Sequence, residues 1–511
     1  MLSKPFIKRW ALPITVFITG AGVLVVEIVA NRMLSPYFGS TIFTISSVIS
    51  VVLAALSVGY YVGGRLADRL PTWVVFYRIV LVGGLSIFVL YWMQLLILPT
   101  LGSALPLTFG PLVSSVLLLF VPSFTLGMLS PFAIKLQQMG VKDQGIGSIS
   151  GEIFFYSTLG SILGSLLAGY VLIPHVGVRA SLIGSAAVIT ALGLFPLIWL
   201  GANKRFLRQL GLLVIAGVFL SFFISPEPRA VYSHHGVYEK IVIKDGTFDG
   251  RPARFLFQDR SASGAMYLDS NELVYDYTKY YALHELMVPE VQRALVIGGG
   301  AYSIPKALLH DLPNATVDVS EIEPSLVELS EKYFNLPKNE PRLRHFIEDG
   351  RRHLKDASQP YDLIFGDAYH SLYSVPTHLT TKEFFKTVYD QLSPEGLFVM
   401  NVIGSLDPAP PSVILSEIRT LREVFPNVYL FAVNSPQAQD SQNLVIAAHK
   451  SAAALEFGPD KIKDSKHEVI RSLPAHQVDL GKYDLGKYPL LTDDFAPVEY
   501  WTAQLLRRHG L

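Results

Sequence analysis

Apolar residues run almost unbroken through the first 225 positions, then give way to short alternating stretches. A helix needs about 20 apolar residues to cross roughly 30 Å of hydrocarbon. Segments 12–34, 42–64, 73–98, 112–134, 153–173, 180–200 and the shorter 210–224 meet or approach that length. The pattern predicts an all-α transmembrane bundle of about seven helices. Gly160, Gly164 and Ala168 share one helical face, a small-residue stripe that lets membrane helices approach closely. Glu27 lies deep in the first segment, so it should face the bundle interior near Asn31 and Arg32, as a structural contact or a substrate contact.

Basic residues sort by loop. Lys4, Lys8 and Arg9 precede the first segment, Arg65, Arg69 and Arg78 flank the second loop, Lys135 and Lys142 the fourth, and Lys204, Arg205 and Arg208 the sixth. The alternate loops hold little beyond Arg179. Positive charge stays on the cytoplasmic side, so the N-terminus is expected there in a multi-pass cell-membrane protein. Seven crossings would carry the rest of the chain to the other face, and one crossing fewer would return it, so the loops leave the side of the C-terminal half open. The basic start followed by an apolar run resembles a secretory signal, but it is too long and leads into further spans; a retained helix is expected. Gly64-Arg-Leu-Ala-Asp68-Arg69 resembles the G-x-x-x-D-R loop signature of major-facilitator transporters and reads as shared loop architecture.

Beyond the proline-marked exit Ser225-Pro-Glu-Pro-Arg229, the period shortens. Runs 238–244, 253–257 and 265–268, separated by Asp245-Gly246 and Asp249-Gly250, predict a small antiparallel sheet, and 275–287 a helix. From 293 onward strands alternate with helices, the sign of a parallel sheet. Strands are expected over 294–297, 316–320, 343–347, 363–365, 397–402, 428–431 and 444–447, with helices including 324–333, 382–392 and 413–424. The domains expected are a transmembrane domain over 1–228, a small β subdomain with a linking helix over 229–290, and an α/β Rossmann-like, methyltransferase-type domain over 291–511.

Composition sharpens the division. Only 11 of the 84 charged residues lie between Trp10 and Leu200. Formal net charge is zero, which argues against a nucleic-acid partner. The chain has no cysteine, which excludes disulfides, thiolate nucleophiles and cysteine metal sites, and no metal site is expected.

In a parallel sheet ligands bind beyond the carboxyl ends of the strands. There the sequence places Gly298-Gly299-Gly300, where the backbone turns tightly and approaches a ligand closely. The dinucleotide fingerprint would need glycine at Ser303. Glu321, about 20 residues on, suits a ribose diol, although a solvated helix-start carboxylate would look the same. Asp349 and Gly350 follow the third strand and suit an adenine amino group; Asp367 follows the fourth, in Ile364-Phe-Gly-Asp-Ala-Tyr-His370.

These residues resemble the spermidine-synthase family of polyamine aminopropyltransferases over roughly 231–450, and the whole chain resembles membrane-fused bacterial members. Ala294-Leu-Val-Ile-Gly-Gly-Gly300 resembles the family's glycine motif, Leu379-Thr-Thr-Lys-Glu-Phe-Phe385 the helix start after its active-site loop, and Leu491-Thr-Asp-Asp-Phe-Ala-Pro-Val-Glu499 the C-terminal signature of the fused type. The resemblance implies a nucleoside site at Gly298, Gly299, Gly300, Glu321, Asp349 and Gly350. It implies Asp367 as proton acceptor with Tyr369 and His370 beside it, and substrate contacts at Tyr238, Tyr275 and Asp276. Decarboxylated S-adenosylmethionine, or S-adenosylmethionine itself, would be co-substrate to a small amine, with no permanently bound cofactor; a homodimer in a lipid bilayer is expected. The chain departs from the family at Ala301 and His370, where the family carries acids, and at Tyr275-Asp276-Tyr277, where it carries Tyr-His-Glu. These departures keep two alternatives open: a methyltransferase or related enzyme using S-adenosylmethionine, and a membrane transporter or sensor with a nucleoside-binding domain.

Overall fold

The computed structural model describes residues 5–141, 144–223, 229–259, 261–368, 376–453 and 459–508. The chain divides into two units, Met1–Pro228 and Arg229–Leu511. The first is helical: α1 (Pro5–Phe38), α2 (Ile42–Arg69), α3 (Trp73–Leu96), a short α4 (Leu98–Ala104), α5 (Gly110–Gly127), α6 (Leu129–Gly140), α7 (Ile146–Leu167), α8 (Val178–Trp199) and α9 (Lys204–Phe223). Thr41 and Thr72 cap α2 and α3, accepting from the backbone N–H groups of Thr44 and Val75. The α5–α6 line breaks at Met128, because Pro131 has no N–H to offer the carbonyl of Gly127. A π-helical stretch, Ala168–Val176, continues α7 and ends at Gly177, whose φ is +84°.

Among the described residues six helical stretches are long and apolar enough to cross a membrane, the last ending at Trp199. The predicted seventh segment falls in α9, with Ile224 outside the described residues. This helix packs back along α8 and α3: Gly211 meets Leu194 and Gly217 meets Phe88. Leu212, Leu213, Ile215 and Phe219 remain exposed on it. The small-residue stripe is where α7 touches α1. A Cβ on Gly160 would lie 2.0 Å from the Phe17 carbonyl oxygen, and one on Gly164 2.4 Å from that of Ala21. At the loop ends Asp68 pairs with Lys135 at 2.8 Å.

The second unit opens with a four-stranded antiparallel sheet, β1 (Tyr232–His235), β2 (Lys240–Phe248), β3 (Arg251–Gln258) and β4 (Ser261–Tyr267), in that order. Asp249 and Gly250, with φ of 49° and 77°, make the two-residue hairpin turn between β2 and β3. The expected break at Asp245-Gly246 does not occur. Asp245 stays in β2 because Arg254, directly opposite on β3, holds its carboxylate with two bonds of 2.7 and 2.9 Å. The expected helix 275–287 is a 3-10 turn, Asp276–Leu283, running into a short α10 (His284–Met287).

Next comes a seven-stranded sheet with its helices: β5 (Arg293–Ile297), α11 (Ser303–Asp311), β6 (Thr316–Glu321), α12 (Ser325–Tyr333), β7 (Leu343–Ile347), α13 (Gly350–Asp356), β8 (Tyr361–Gly366), α14 (Lys382–Asp390), β9 (Leu392–Gly404), α15 (Val413–Arg422), β10 (Asn427–Ala432) and β11 (Gln442–His449). Strand order is β10-β11-β9-β8-β5-β6-β7. The strands from β9 to β7 run parallel, and β11 lies antiparallel between β9 and β10. Alternate residues feed two cores: Ala294 and Val296 with Leu363 and Phe365 on one face, Leu295 and Ile297 with Ile364 and Phe398 on the other. The chain leaves β5 toward β6 and later returns to its other side as β8. That switch opens a crevice at the carboxyl ends of β5 and β8.

Candidate active site

The glycine run begins where β5 ends, and two neighbouring strands fix it there. Gly298 has φ +95°, and a Cβ on it would fall 2.5 Å from the Asp367 carbonyl oxygen. Its N–H donates to Ser320 on β6 at 2.9 Å, while the N–H of Asp367 donates to Ile297 at 2.8 Å. No residue with a side chain fits between these strands. Glu321, buried at the end of β6, accepts from the N–H groups of Gly299 (2.7 Å), Gly300 (3.3 Å) and Glu323 (2.8 Å). The glycine loop therefore sets this carboxylate's rotamer. Glu323, also buried, accepts from the N–H of Tyr238 at 3.0 Å and so ties the β1–β2 connection to the end of β6.

Asp349 caps α13, accepting from the N–H groups of Arg351 and Arg352 at 3.0 and 3.1 Å, and meets His378 Nε2 at 2.7 Å. Burial pushes its pKa up, but the His378 bond and the backbone donors outweigh that and hold it below the usual carboxylate range. Gly350 beneath is obligatory, since a Cβ would lie 2.2 Å from Ile297 Cγ2.

Asp367 sits at the end of β8. Its Oδ1 accepts from Asn401 Nδ2 at 3.0 Å and its Oδ2 from the Tyr277 hydroxyl at 3.2 Å. Asn443 in turn donates to Asn401 Oδ1 at 2.9 Å, so β11, β9 and the 3-10 turn all aim at one carboxylate. Burial pushes Asp367 up to about 7, against the lowering pull of Asn401 and Tyr277. It is poised to take up a proton near neutrality.

Two chambers meet there. One, an open cleft with about 650 Å³ of empty space, is lined by Glu321, Asp349, Gly350, His378, Gln258 and Asp367. The other, about 340 Å³, is lined by Tyr275, Tyr277, Ala301, Ser263, Gly299 and Asp367. Gly298 and Ser263 border both.

Of the residues singled out from sequence, the three glycines, Glu321, Asp349, Gly350, Tyr275 and Asp367 come together here. Asp276 does not join them: the 3-10 turn directs it outward to Lys279 at 2.6 Å. Tyr238 is exposed and contributes its backbone N–H, to Glu323. Tyr369 and His370 lie outside the described residues. Sequence reasoning passed over Asn401, Asn443, Ser263, Gln258 and His378. Asn401 had left a signal, a lone polar side chain inside the apolar run of β9. Gln258 donates to the buried carboxyl of Glu239, whose pKa burial pushes well above its usual range.

The Spermine/spermidine synthase domain family matches residues 282–457. A polyamine aminopropyltransferase of Vibrio vulnificus is 30% identical over 229 residues, covering 42% of this chain and 70% of that protein. The chain belongs to the polyamine aminopropyltransferase family. Polyamine aminopropyltransferase 1 of Streptomyces coelicolor is 24% identical over 537 residues, covering 96% of this chain and 94% of the relative, so the likeness extends through the N-terminal helices. A probable spermidine synthase from Corynebacterium glutamicum is similar in structure at 20% identity and TM-score 0.39, over 48% of this chain and 95% of the other. Family membership makes the chain a transferase, in which a helical, apolar unit precedes the Rossmann-like one.

Proposed function

We propose that the protein transfers an aminopropyl group from decarboxylated S-adenosylmethionine to a small amine, releasing methylthioadenosine. The observation that carries this reading is the position of Asp367, a half-buried carboxylate whose desolvation raises it to about 7 where the two chambers meet. In this reading the larger chamber holds the nucleoside, with Glu321 on the ribose hydroxyls and Asp349 on the adenine amino group. The smaller chamber holds the acceptor.

A sulfonium carbon needs little activation, so the protein's part is alignment and proton removal. Asp367 takes a proton from the acceptor ammonium. The freed nitrogen lone pair attacks the methylene carbon bound to sulfur, forming an N–C bond. The C–S pair leaves with sulfur as a neutral thioether, methylthioadenosine. Tyr277 and Asn401 fix both carboxylate oxygens, so the remaining lone pairs face the chamber. The reading includes a homodimer anchored in the cell membrane by the helical unit.

The test is incubation of the detergent-solubilised full chain with an amine panel and either donor, with products weighed by mass spectrometry. Methylthioadenosine from the decarboxylated donor is expected. Adenosylhomocysteine from S-adenosylmethionine, without methylthioadenosine from the other donor, would establish methyl transfer instead.

A further inference from the structure

The smaller chamber differs from a slot for two cations. A diamine brings two ammonium groups, and each buried ammonium needs its own anion or loses its hydration uncompensated. Among the described residues lining this chamber Asp367 is the sole carboxylate. Nearby acids are engaged elsewhere: Asp276 with Lys279 at 2.6 Å, and Glu272 with Arg251 at 2.6 Å. The segment 369–375 reads Tyr-His-Ser-Leu-Tyr-Ser-Val and carries no acid in its sequence. The space beside Ala301 is closed as well. A Cβ on Gly264 of β4 would lie 2.5 Å from the Ala301 Cβ, so strand and loop are already in contact.

What remains suits one cation and an apolar remainder. Tyr275 and Tyr277 stack at 6.1 Å with 15° between their rings, and Tyr277 reaches Asp367 through its hydroxyl. An ammonium beside Asp367 would lie near an aromatic wall. Val274, Ile304 and Pro305 continue the lining. The Ser263 hydroxyl, buried and without a hydrogen-bond partner among the described residues, borders both chambers and offers a neutral polar contact.

We propose that the acceptor chamber recognises a single ammonium, at Asp367, and accommodates an uncharged chain beyond it, so that monoamines are acceptors as good as diamines. The inference rests on the aminopropyl-transfer reading, which assigns this chamber to the acceptor. It is tested by calorimetry on the full chain saturated with methylthioadenosine, comparing n-butylamine with 1,4-diaminobutane, which have the same carbon count. Affinities within about threefold of each other are expected. A preference for the diamine of tenfold or more would overturn the inference, as would failure of either amine to bind the loaded protein. Ser263→Asp places a second carboxylate at the chamber border and is expected to shift the binding ratio toward the diamine by about tenfold or more. A folded Ser263→Asp variant with an unchanged ratio would count equally against it. If the variant does not fold, the wild-type ratio decides. Failure of the aminopropyl reading shows separately, as absence of methylthioadenosine release with every amine, because the ratio is read from binding alone.

Discussion

The Tyr277 hydroxyl donates to Asp367 Oδ2 at 3.2 Å across 90 residues of sequence. It joins the segment that follows the small β-sheet to the end of a central strand. Both groups are half-buried, and loss of hydration pushes Tyr277 well above its ordinary value as well. The phenol therefore stays protonated and remains a donor, while Asp367 is the partner that titrates.

Asp367→Asn preserves both hydrogen bonds, because the amide accepts from Asn401 and donates to Tyr277, while basicity is lost. Turnover should fall by about 10²–10⁴-fold with methylthioadenosine affinity little changed. Stopped turnover assays with calorimetry check this, and a variant with full turnover would remove Asp367 as the base. The same change should stabilise the fold at high pH. A carboxyl near 7 folded and about 3.9 unfolded contributes stability below the unfolded value and loses it as pH rises through 7. The variant's gain in Tm should therefore be larger at pH 8 than at pH 4.

The pH profile carries the second expectation. With Asp367 as base, kcat/KM should rise tenfold per unit below about pH 7 and level off above it. Tyr277→Phe deletes a donor that lowers this pKa, so the limb should move to higher pH. An unmoved limb in an active Tyr277→Phe variant would mean that another group titrates.

Glu321→Gln should weaken methylthioadenosine binding by about 1–3 kcal/mol, the cost of a lost charged hydrogen bond. The amide would also turn a donor toward one of the backbone N–H groups that Glu321 now accepts. Unchanged affinity by calorimetry, in a folded variant, would rule out the ribose assignment.

Asp493 lies in the C-terminal signature and grips Arg351 with two bonds of 2.7 and 2.6 Å, and Thr381 with one of 2.8 Å. Arg351 in turn reaches the His378 carbonyl at 3.2 Å, behind the Asp349–His378 contact. Asp493→Ala should lower nucleoside affinity by roughly 1 kcal/mol, although Asp493 touches neither chamber. Affinity equal to wild type would confine the signature to packing.

The last expectation concerns α9, which packs back along α3 and α8 with an exposed apolar face. At 20 residues it spans about 30 Å, enough for a seventh crossing. Reporters in the loop after Gly140 and at the C-terminus should report opposite faces, so a donor made in the cytosol would have to reach the far side. Two cytoplasmic signals would show that α9 does not cross, and would place the site with cytosolic donors.

Much was determined locally. Among the described residues, six long apolar helical stretches and seven strands of the larger sheet follow from runs and alternations within 5–31 residues, because the period of apolar positions is a local property of the chain. The glycine run was legible for the same reason, since a strand end that must turn at φ +95° excludes side chains whatever surrounds it. The direction of polar side chains was not. Asp276 and Tyr277 are adjacent, yet the 3-10 turn sends the first outward to Lys279 and the second inward to Asp367. Asn401, 34 residues from Asp367, meets it because β9 and β8 are neighbours in the sheet. A carboxylate's pKa depends on such distant donors and on the water they exclude, and only the packed tertiary structure decides which they are.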